Sequence, residues 1–467
     1  MARQVAAEVA VVGMGPGGEA LANRLADAGV DVVGIDERLL GGECPYWGCI
    51  PSKMMIRAAN LLAEARRIPG VAGDSSVQPS WEPVAKRVRE ATDDWHDRVA
   101  VERFESKGGR FLRGHARLEG PNRVVIDDGT EVTVSAGVVI NCGTSPAIPP
   151  VEGLGEAGYW TNRAAMETDK VPGELVVLGG GAIGLELAQM FRRFGAQVTV
   201  VESDGRLLAM EEPESSMLIG EVFDREGIVV RLAVRAKRAE RRDGKVILHL
   251  DDGSEAIGDR LLVATGRRVN LKMLNLSCIG LEEEARSLPT DERMRVAPGV
   301  WAIGDVTGKG AFTHMSMYQA GIAGDDILSM TGRTDPENRG RTADYRAVPR
   351  VTFTDPEIGS VGLSAEAAKK EGRRVRVGTS SIPESSRGWI HGPGNDGFIK
   401  LVQDADSGLL VGATSAGPVG GEVLSMLVLA VHAEIPVDSL RSMIYAFPTF
   451  HRALEPALAE LANAGDA

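Results

Sequence analysis

Cysteine is scarce in this chain: Cys44, Cys49, Cys142 and Cys278 are the only four in 467 residues. That excludes a disulfide-stapled scaffold. Positive charge is in deficit too, with 52 Lys and Arg against 65 Asp and Glu and a formal net charge of −13. A nucleic-acid partner needs a basic face, so none is expected. No apolar run approaches the roughly 20 residues that cross a bilayer. The opening MARQVAAEVAVVGMG enters a strand pattern directly, without the apolar stretch and cleavage site of a secretory signal. A cytoplasmic protein with no membrane partner is the expectation. Short-period repeats and low-complexity tracts are lacking as well.

What is present is ordinary in bulk and unusual in detail. Hydrophobic residues make up 43% and charged residues 25%, so a large buried core is available. The length corresponds to about three domains. Glycine is abundant, at 57 residues, and glycine lets a backbone approach a ligand closely.

The first glycine cluster lies between a strand pattern over 5–13 and a helical pattern over 19–28, with a second strand over 30–36. This β–α–β unit carries Gly13, Gly15 and Gly18 in G-x-G-x-x-G spacing. The first glycine permits the turn, the second admits a pyrophosphate, and the third lets helix and strand pack. Asp36, 18 residues past Gly18, is placed to accept from ribose hydroxyls. The plan recurs with a strand over 175–178, Gly179, Gly181 and Gly184, a helix over 185–194 and a strand over 197–202 that ends in Glu202. Two such units suit two dinucleotides, a flavin carrier and a nicotinamide donor. A carboxylate at Glu202 bonds a 2′-hydroxyl and repels a 2′-phosphate, so NADH is favoured. Arg206 could reach a phosphate and keeps NADPH possible.

Cys44 and Cys49 enclose four residues in GGECPYWGCIPSK, close enough to be bridged in a helical or turned segment. Zinc needs about four ligands, and no histidine lies nearby. Redox chemistry is the favoured reading over two inert cysteines. Pro51 argues against a helix interior just past Cys49. A helical stretch is expected over 53–107 and linkers over 146–150 and 331–346. From about 347 a separate α+β unit is expected, with strands in VRVGTSSI, GFIKLVQD and LLVGATSAG and two helical segments.

The cysteine string resembles the active-site signature of the pyridine nucleotide–disulfide oxidoreductases, the class I family that includes dihydrolipoamide dehydrogenase, glutathione reductase and mercuric reductase. The resemblance continues through VATGRR over 263–268, VWAIGD over 300–305 and VPRVTFTDPEIGSVG over 348–362, and so spans the chain. It implies an α/β protein with two Rossmann-like dinucleotide-binding domains and a C-terminal α+β dimerisation domain. The implied boundaries are FAD-binding over 1–150 and 276–340, NAD(P)-binding over 151–275 and an interface domain over 341–467, in an obligate homodimer. It further implies that Cys44 is the interchange thiol and Cys49 the flavin-facing thiol, able to form a charge-transfer complex. Lys53 would lie near the flavin N5, and Glu186 would pair with Lys53. Asp305 would bond the ribityl chain, and Gly42, Gly143 and Gly266 would be among the cofactor-binding positions. The implied cycle runs from NADH through FAD to the Cys44–Cys49 disulfide, and then by thiol–disulfide exchange to an acceptor.

The chain departs from the family pattern where the acceptor is handled. The usual H-P-T-x-x-E string reads Phe447-Pro448-Thr449-Phe450-His451-Arg452, so both members of the acid/base dyad are replaced. His451 is the nearest titratable candidate and Tyr445 the second. Glu43 stands where the family commonly has threonine, and Pro45, Tyr46 and Trp47 make the loop bulkier, which suits an apolar or aromatic acceptor. No cysteine follows Cys278, which disfavours mercury, since mercuric reductase uses an added C-terminal pair. Phe447 is similar to the phenylalanine of ketopropyl coenzyme M oxidoreductase/carboxylase. Cys142 and Cys278 are expected to be buried structural cysteines. The acceptor is expected to be a small-molecule or protein disulfide, with quinones or metal ions as the diaphorase alternative. No resident metal is expected.

Overall fold

The computed structural model describes residues 3–335 and 340–463; of the linker expected over 331–346, residues 336–339 lie outside the described residues. The chain divides into two compact units. The first comprises 1–51, 88–147 and 267–345, and the second 52–87, 148–266 and 346–467.

The first unit is built on an eight-stranded sheet. Its main path runs Arg295–Ala297, Val300–Ala302, Glu131–Ile140, Gln4–Val12, Val32–Asp36 and Arg110–Arg113. Gln4–Val12 pairs in parallel with both Val32–Asp36 and Glu131–Ile140. A parallel sheet is covered on both faces, and the alternation in the first strand shows how. Val9 and Val11 pack with Leu21, Leu25, Trp301 and Ile327, and Ala10 and Val12 with Val33, Ile126, Val132 and Leu276 on the other face. The helices Pro16–Asp27 and Thr313–Met330 contribute Leu21, Leu25 and Ile327 to that first face. Val300–Ala302 extends the sheet by pairing in parallel with Glu131–Ile140, so strands from both sides of the second glycine unit build one sheet.

Among its described residues the second unit holds three sheets. A parallel one runs Val229–Arg231, Gln197–Val201, Glu174–Leu178 and Arg260–Val263, with an antiparallel meander over 236–258 beside it in sequence. The C-terminal five-stranded sheet is antiparallel, in the order Pro349–Thr352, Glu357–Gly362, Leu410–Gly417, Phe398–Asp404 and Val375–Ser381. Helices Gly420–His432 and Leu454–Asn463 bury Leu424, Leu427, Leu458 and Leu461 with Ile399 and Leu401 of that sheet. The α/β class, with two dinucleotide-binding folds and a C-terminal α+β part, is therefore as the sequence indicates.

Four local expectations are corrected. The helical stretch over 53–107 is three helices, Cys49–Arg66, Glu82–Ala91 and Arg98–Ser106. Pro51 does sit in a helix, but in its first turn, where its missing N–H costs nothing. Part of the expected linker at 146–150 belongs to the short strand Thr144–Pro146, which pairs with Arg267–Val269. The C-terminal part carries five α-helices among the described residues rather than two. Among the described residues, no helix is long and apolar enough to cross a membrane.

Candidate active site and nucleotide cradles

The two glycine motifs are built alike. A Cβ at Gly13 would lie 2.3 Å from the Asn141 carbonyl oxygen, and one at Gly179 would lie 2.4 Å from that of Ala264. Both residues have positive φ, 94° and 114°, so side-chain-bearing residues fail on conformation and on space. A Cβ at Gly18 would approach the Gly13 oxygen to 2.1 Å, and one at Gly184 the Gly179 oxygen to 2.2 Å. These glycines let helix and strand close up. Gly15 and Gly181 precede the helices Pro16–Asp27 and Ala182–Arg193. Gly181 opens onto empty space and Gly15 meets only Asn141 Nδ2, at 3.6 Å. That room at a helix N-terminus suits a pyrophosphate.

The acids match as well. Asp36 accepts from the Met14 N–H at 2.7 Å and the Arg38 N–H at 2.8 Å. Burial pushes its carboxyl above the usual range, against the pull of those two donors. Glu202 accepts from the Gly180 N–H at 2.5 Å and the Asp204 N–H at 2.8 Å. Each carboxylate thus braces the glycine turn of its own unit while standing at the strand end. Arg206 is committed locally: its guanidinium donates to the Leu208 and Ala209 carbonyls at 3.2 and 2.6 Å and to Ser216 Oγ at 2.9 Å.

Around the first cradle, Asn141 Nδ2 donates to the Gly13 carbonyl at 3.0 Å. Asp305 Oδ2 accepts from Thr144 Oγ1 at 2.6 Å, and Arg267 clasps Thr144 through its hydroxyl and its carbonyl at 2.7 and 2.8 Å. Gly42 has φ 68°, and a Cβ there would lie 2.7 Å from Gly15 Cα, so the cysteine loop can lie directly on the glycine turn. Gly143 has positive φ and open space beside it, and so, in the second unit, does Gly266.

Cys44 lies in the one-turn helix Glu43–Tyr46 and Cys49 opens the helix Cys49–Arg66. Gly48 makes their approach possible, since a Cβ there would lie 3.0 Å from the Glu43 carbonyl and 3.2 Å from Cys44 Cα. The two thiols are in hydrogen-bond contact, and this contact, followed by burial, drives the Cys44 thiol well above the ordinary thiol range. The hydroxyl of Thr313, first residue of helix Thr313–Met330, opposes that shift on Cys44 and lies 3.5 Å from Cys49 Sγ.

In the second unit, Lys53 Nζ meets Glu186 Oε2 at 2.7 Å. Glu186 is buried, and its other oxygen accepts from the Phe353 N–H at 2.8 Å. The Phe353 ring lies 4.7 Å from Lys53 Nζ, within cation–π reach. The loop bearing Phe353 is held by a reciprocal pair, Asp355 N–H to Gln189 Oε1 at 2.8 Å and Gln189 Nε2 to the Asp355 carbonyl at 2.9 Å. Arg193, 3% exposed, bonds Asp355, Glu226 and Asn60. Sequence reading missed Thr313, Phe353 and Arg193. Thr313 is 264 residues from Cys49 and Phe353 is 167 from Glu186, and no local spacing could announce them.

At the C-terminal departure, Phe447 is 64% exposed. The Arg452 guanidinium lies 5.2 Å from its ring and pairs with Glu455 at 2.8 Å. His451 is exposed on the short 3₁₀ turn Phe450–Ala453. Tyr445 is buried and donates its hydroxyl to the Leu440 carbonyl at 2.8 Å, so it does not present an acid outward. Cys278 is exposed rather than buried, because it lies on a surface 3₁₀ turn, Leu276–Ile279. Cys142 is half-buried; its thiol donates to the Asn270 carbonyl at 3.0 Å and burial pushes it up to about 12.

Residues 7–320 match the family model described as pyridine nucleotide-disulphide oxidoreductase, and residues 348–458 match the dimerisation domain of the same family. The chain belongs to that family. It is 32% identical over 458 residues to a mercuric reductase of Acidithiobacillus ferrooxidans, covering 96% of this chain and 81% of that one. It is 31% identical over 463 residues to a dihydrolipoyl dehydrogenase of Thermus scotoductus, covering 96% and 95%. The HOCl-induced flavoprotein disulfide reductase RclA from Escherichia coli, solved as a Cu(II) complex, shares the fold with a TM-score of 0.84 at 24% identity, over 98% of this chain and 99% of that one. Membership makes the protein an FAD-dependent pyridine nucleotide–disulfide oxidoreductase using FAD and NAD(P)H, with a dimerisation domain at its C-terminal end. The open glycine turns, the free space beside Gly181 and the braced acids suit both dinucleotides.

Proposed function

We propose that the enzyme passes electrons from NADH through FAD to a Cys44–Cys49 couple and on to a disulfide acceptor, as a homodimer. FAD, when bound, carries the two reducing equivalents between nicotinamide and disulfide. The observation that carries the reading is the contact between the Cys44 and Cys49 thiols beside the Thr313 hydroxyl. In the reduced pair, the thiolate of Cys44 attacks one sulfur of the acceptor, forming a mixed disulfide and releasing one thiolate. Cys49 then attacks Cys44, re-forming the internal disulfide and releasing the second; two protons convert the products to thiols. Cys44 holds its proton above the ordinary thiol range through the contact with Cys49 and burial, and the Thr313 hydroxyl opposes that shift. Lys53, held by Glu186 and Phe353, supplies fixed positive charge one helical turn beyond Cys49. The NADH preference is supported by Glu202 standing at the strand end and by Arg206 being bound to its own loop. Glu202→Ala should lower kcat/KM for NADH about tenfold while changing that for NADPH far less.

A second reading, reduction of quinones or metal ions, is favoured by the C-terminal arrangement. Phe447 and Arg452 occupy the dyad positions, and Tyr445 is spent on a backbone carbonyl. Such acceptors need no thiol protonation. Steady-state NADH oxidation with lipoamide, oxidised glutathione and menadione, in the wild type and Cys44→Ser, separates the two. Disulfide turnover lost in Cys44→Ser supports the first. Menadione turnover that survives in the variant, with no disulfide turnover, leaves the second.

A further inference from the structure

The redox loop is gripped by a turn of uncommon shape. Asp93, Asp94 and Trp95 are consecutive and all left-handed, with φ of 48°, 52° and 59°. Residues with a Cβ rarely adopt this conformation even singly, and they keep it only where their surroundings over-determine it. The last residue of the turn and a neighbour just past it contact the cysteine loop. Trp95 Nε1 donates to the Tyr46 carbonyl at 3.1 Å. Two residues on, the buried Asp97 carboxylate accepts the Leu40 N–H at 2.6 Å and is neutralised by Arg113 at 2.6 Å. Leu40 and Tyr46 bracket the segment Gly41–Pro45 that bears Cys44. Tyr46 is the last residue of a one-turn helix, where carbonyls lack intrahelical donors. The Trp95 indole satisfies that of Tyr46, whose side chain is buried.

We propose that Trp95 and Asp97 are positioning residues for the Cys44–Cys49 couple, holding its loop in disulfide-forming geometry; the inference rests on the proposed redox role of that pair. Reduction breaks the S–S bond with two electrons from NADH by way of FAD and two protons, giving two thiols. A disulfide demands a sulfur separation near 2.05 Å and Cβ atoms about 4 Å apart, whereas a dithiol tolerates wider spacing. A clamp on the loop therefore favours the disulfide, and releasing it favours the dithiol.

The test is a glutathione redox titration of the FAD-loaded dimer, scored by counting alkylated thiols, for the wild type, Trp95→Phe and Asp97→Asn. Trp95→Phe keeps the ring and loses the donor. Its disulfide-forming equilibrium constant should fall at least about threefold, a shift of about 14 mV toward positive potential for a two-electron couple. Asp97→Asn keeps an acceptor for Leu40 but loses the Arg113 charge pair, and should shift the same way by less. Asp94→Gly relieves the left-handed strain without touching either contact and should leave the potential unchanged. Unaltered potentials in Trp95→Phe, or in Asp97→Asn should Trp95→Phe not fold, overturn the inference. A wild type in which no two-thiol couple titrates would instead overturn the redox reading of Cys44 and Cys49.

Discussion

Removing either member of the Lys53–Glu186 pair should cost very different amounts. Glu186 is the buried partner, its side chain 7% exposed, while Lys53 is 34% exposed. Lys53→Met keeps the side-chain volume and strands a buried carboxylate with one identified donor, the Phe353 N–H at 2.8 Å. Stranding a buried charge costs about 3–5 kcal/mol in well-enclosed pairs. The partial exposure of Lys53 admits water to the gap, so the lower end, about 3 kcal/mol, is expected here. Glu186→Gln retains an acceptor for the Phe353 N–H and leaves Lys53 over the Phe353 ring, 4.7 Å from its centroid, with access to solvent. Its cost should be about 1 kcal/mol, that of one weakened hydrogen bond. The gap of about 2 kcal/mol is roughly a thirtyfold difference in the folded-to-unfolded ratio. Urea unfolding of the FAD-loaded variants, compared by transition midpoint because a multi-domain chain need not unfold in two states, measures it. Glu186→Gln proving as destabilising as Lys53→Met would refute the reasoning, because it would mean that the carboxylate is not the stranded partner.

Gly42→Ala should give a protein that purifies largely without flavin, judged by its visible absorbance, because the new Cβ meets Gly15 Cα at 2.7 Å and φ is 68°. Arg193→Met should destabilise by about 2–3 kcal/mol, below the cost of a fully stranded buried charge, since it removes the guanidinium shared by Asp355 and Glu226 while Asp355 keeps Arg67 and Glu226 keeps the Gln189 amide; a loss below about 1 kcal/mol in chemical denaturation would contradict this. In the reduced enzyme, alkylation of Cys44 should titrate above the ordinary thiol value of about 8.5, and Cys49→Ala should move that midpoint down by removing the contact that raises it. The folded pKa lies above the unfolded one, so the stability tied to this proton is whole below about pH 8.5 and is lost as pH rises toward the folded value. Alkaline unfolding of reduced Cys49→Ala should accordingly show a weaker pH dependence than reduced wild type.

Sequence reading located the parts of this enzyme whose chemistry is local. A glycine turn, the helix start after it and the acid at the next strand end lie within 24 residues of one another from Gly13 to Asp36. Their spacing therefore encodes the turn, the phosphate-facing helix end and the brace on Met14. The same holds for Gly179 to Glu202, and for Cys44 and Cys49, whose sulfurs meet because a six-residue turn with glycine at 48 can bring them together. Pattern also carried the fold class, since the unbroken apolar run of a strand buried on both faces, as in Val9–Val12, and the 3.6 period of the helices are properties of short segments. Tertiary structure alone decided the groups that act on those parts from afar. Thr313 reaches Cys49, Phe353 reaches Lys53 and Glu186, and Trp95 and Asp97 reach the cysteine loop because sheet order and helix packing bring distant segments to one place. It also decided which candidates were already spent, as with Tyr445 on the Leu440 carbonyl and Arg206 on its own loop, and that Cys278 faces outward. A hydrogen-bond donor's orientation depends on every neighbour around it, and residue type and spacing do not contain that information.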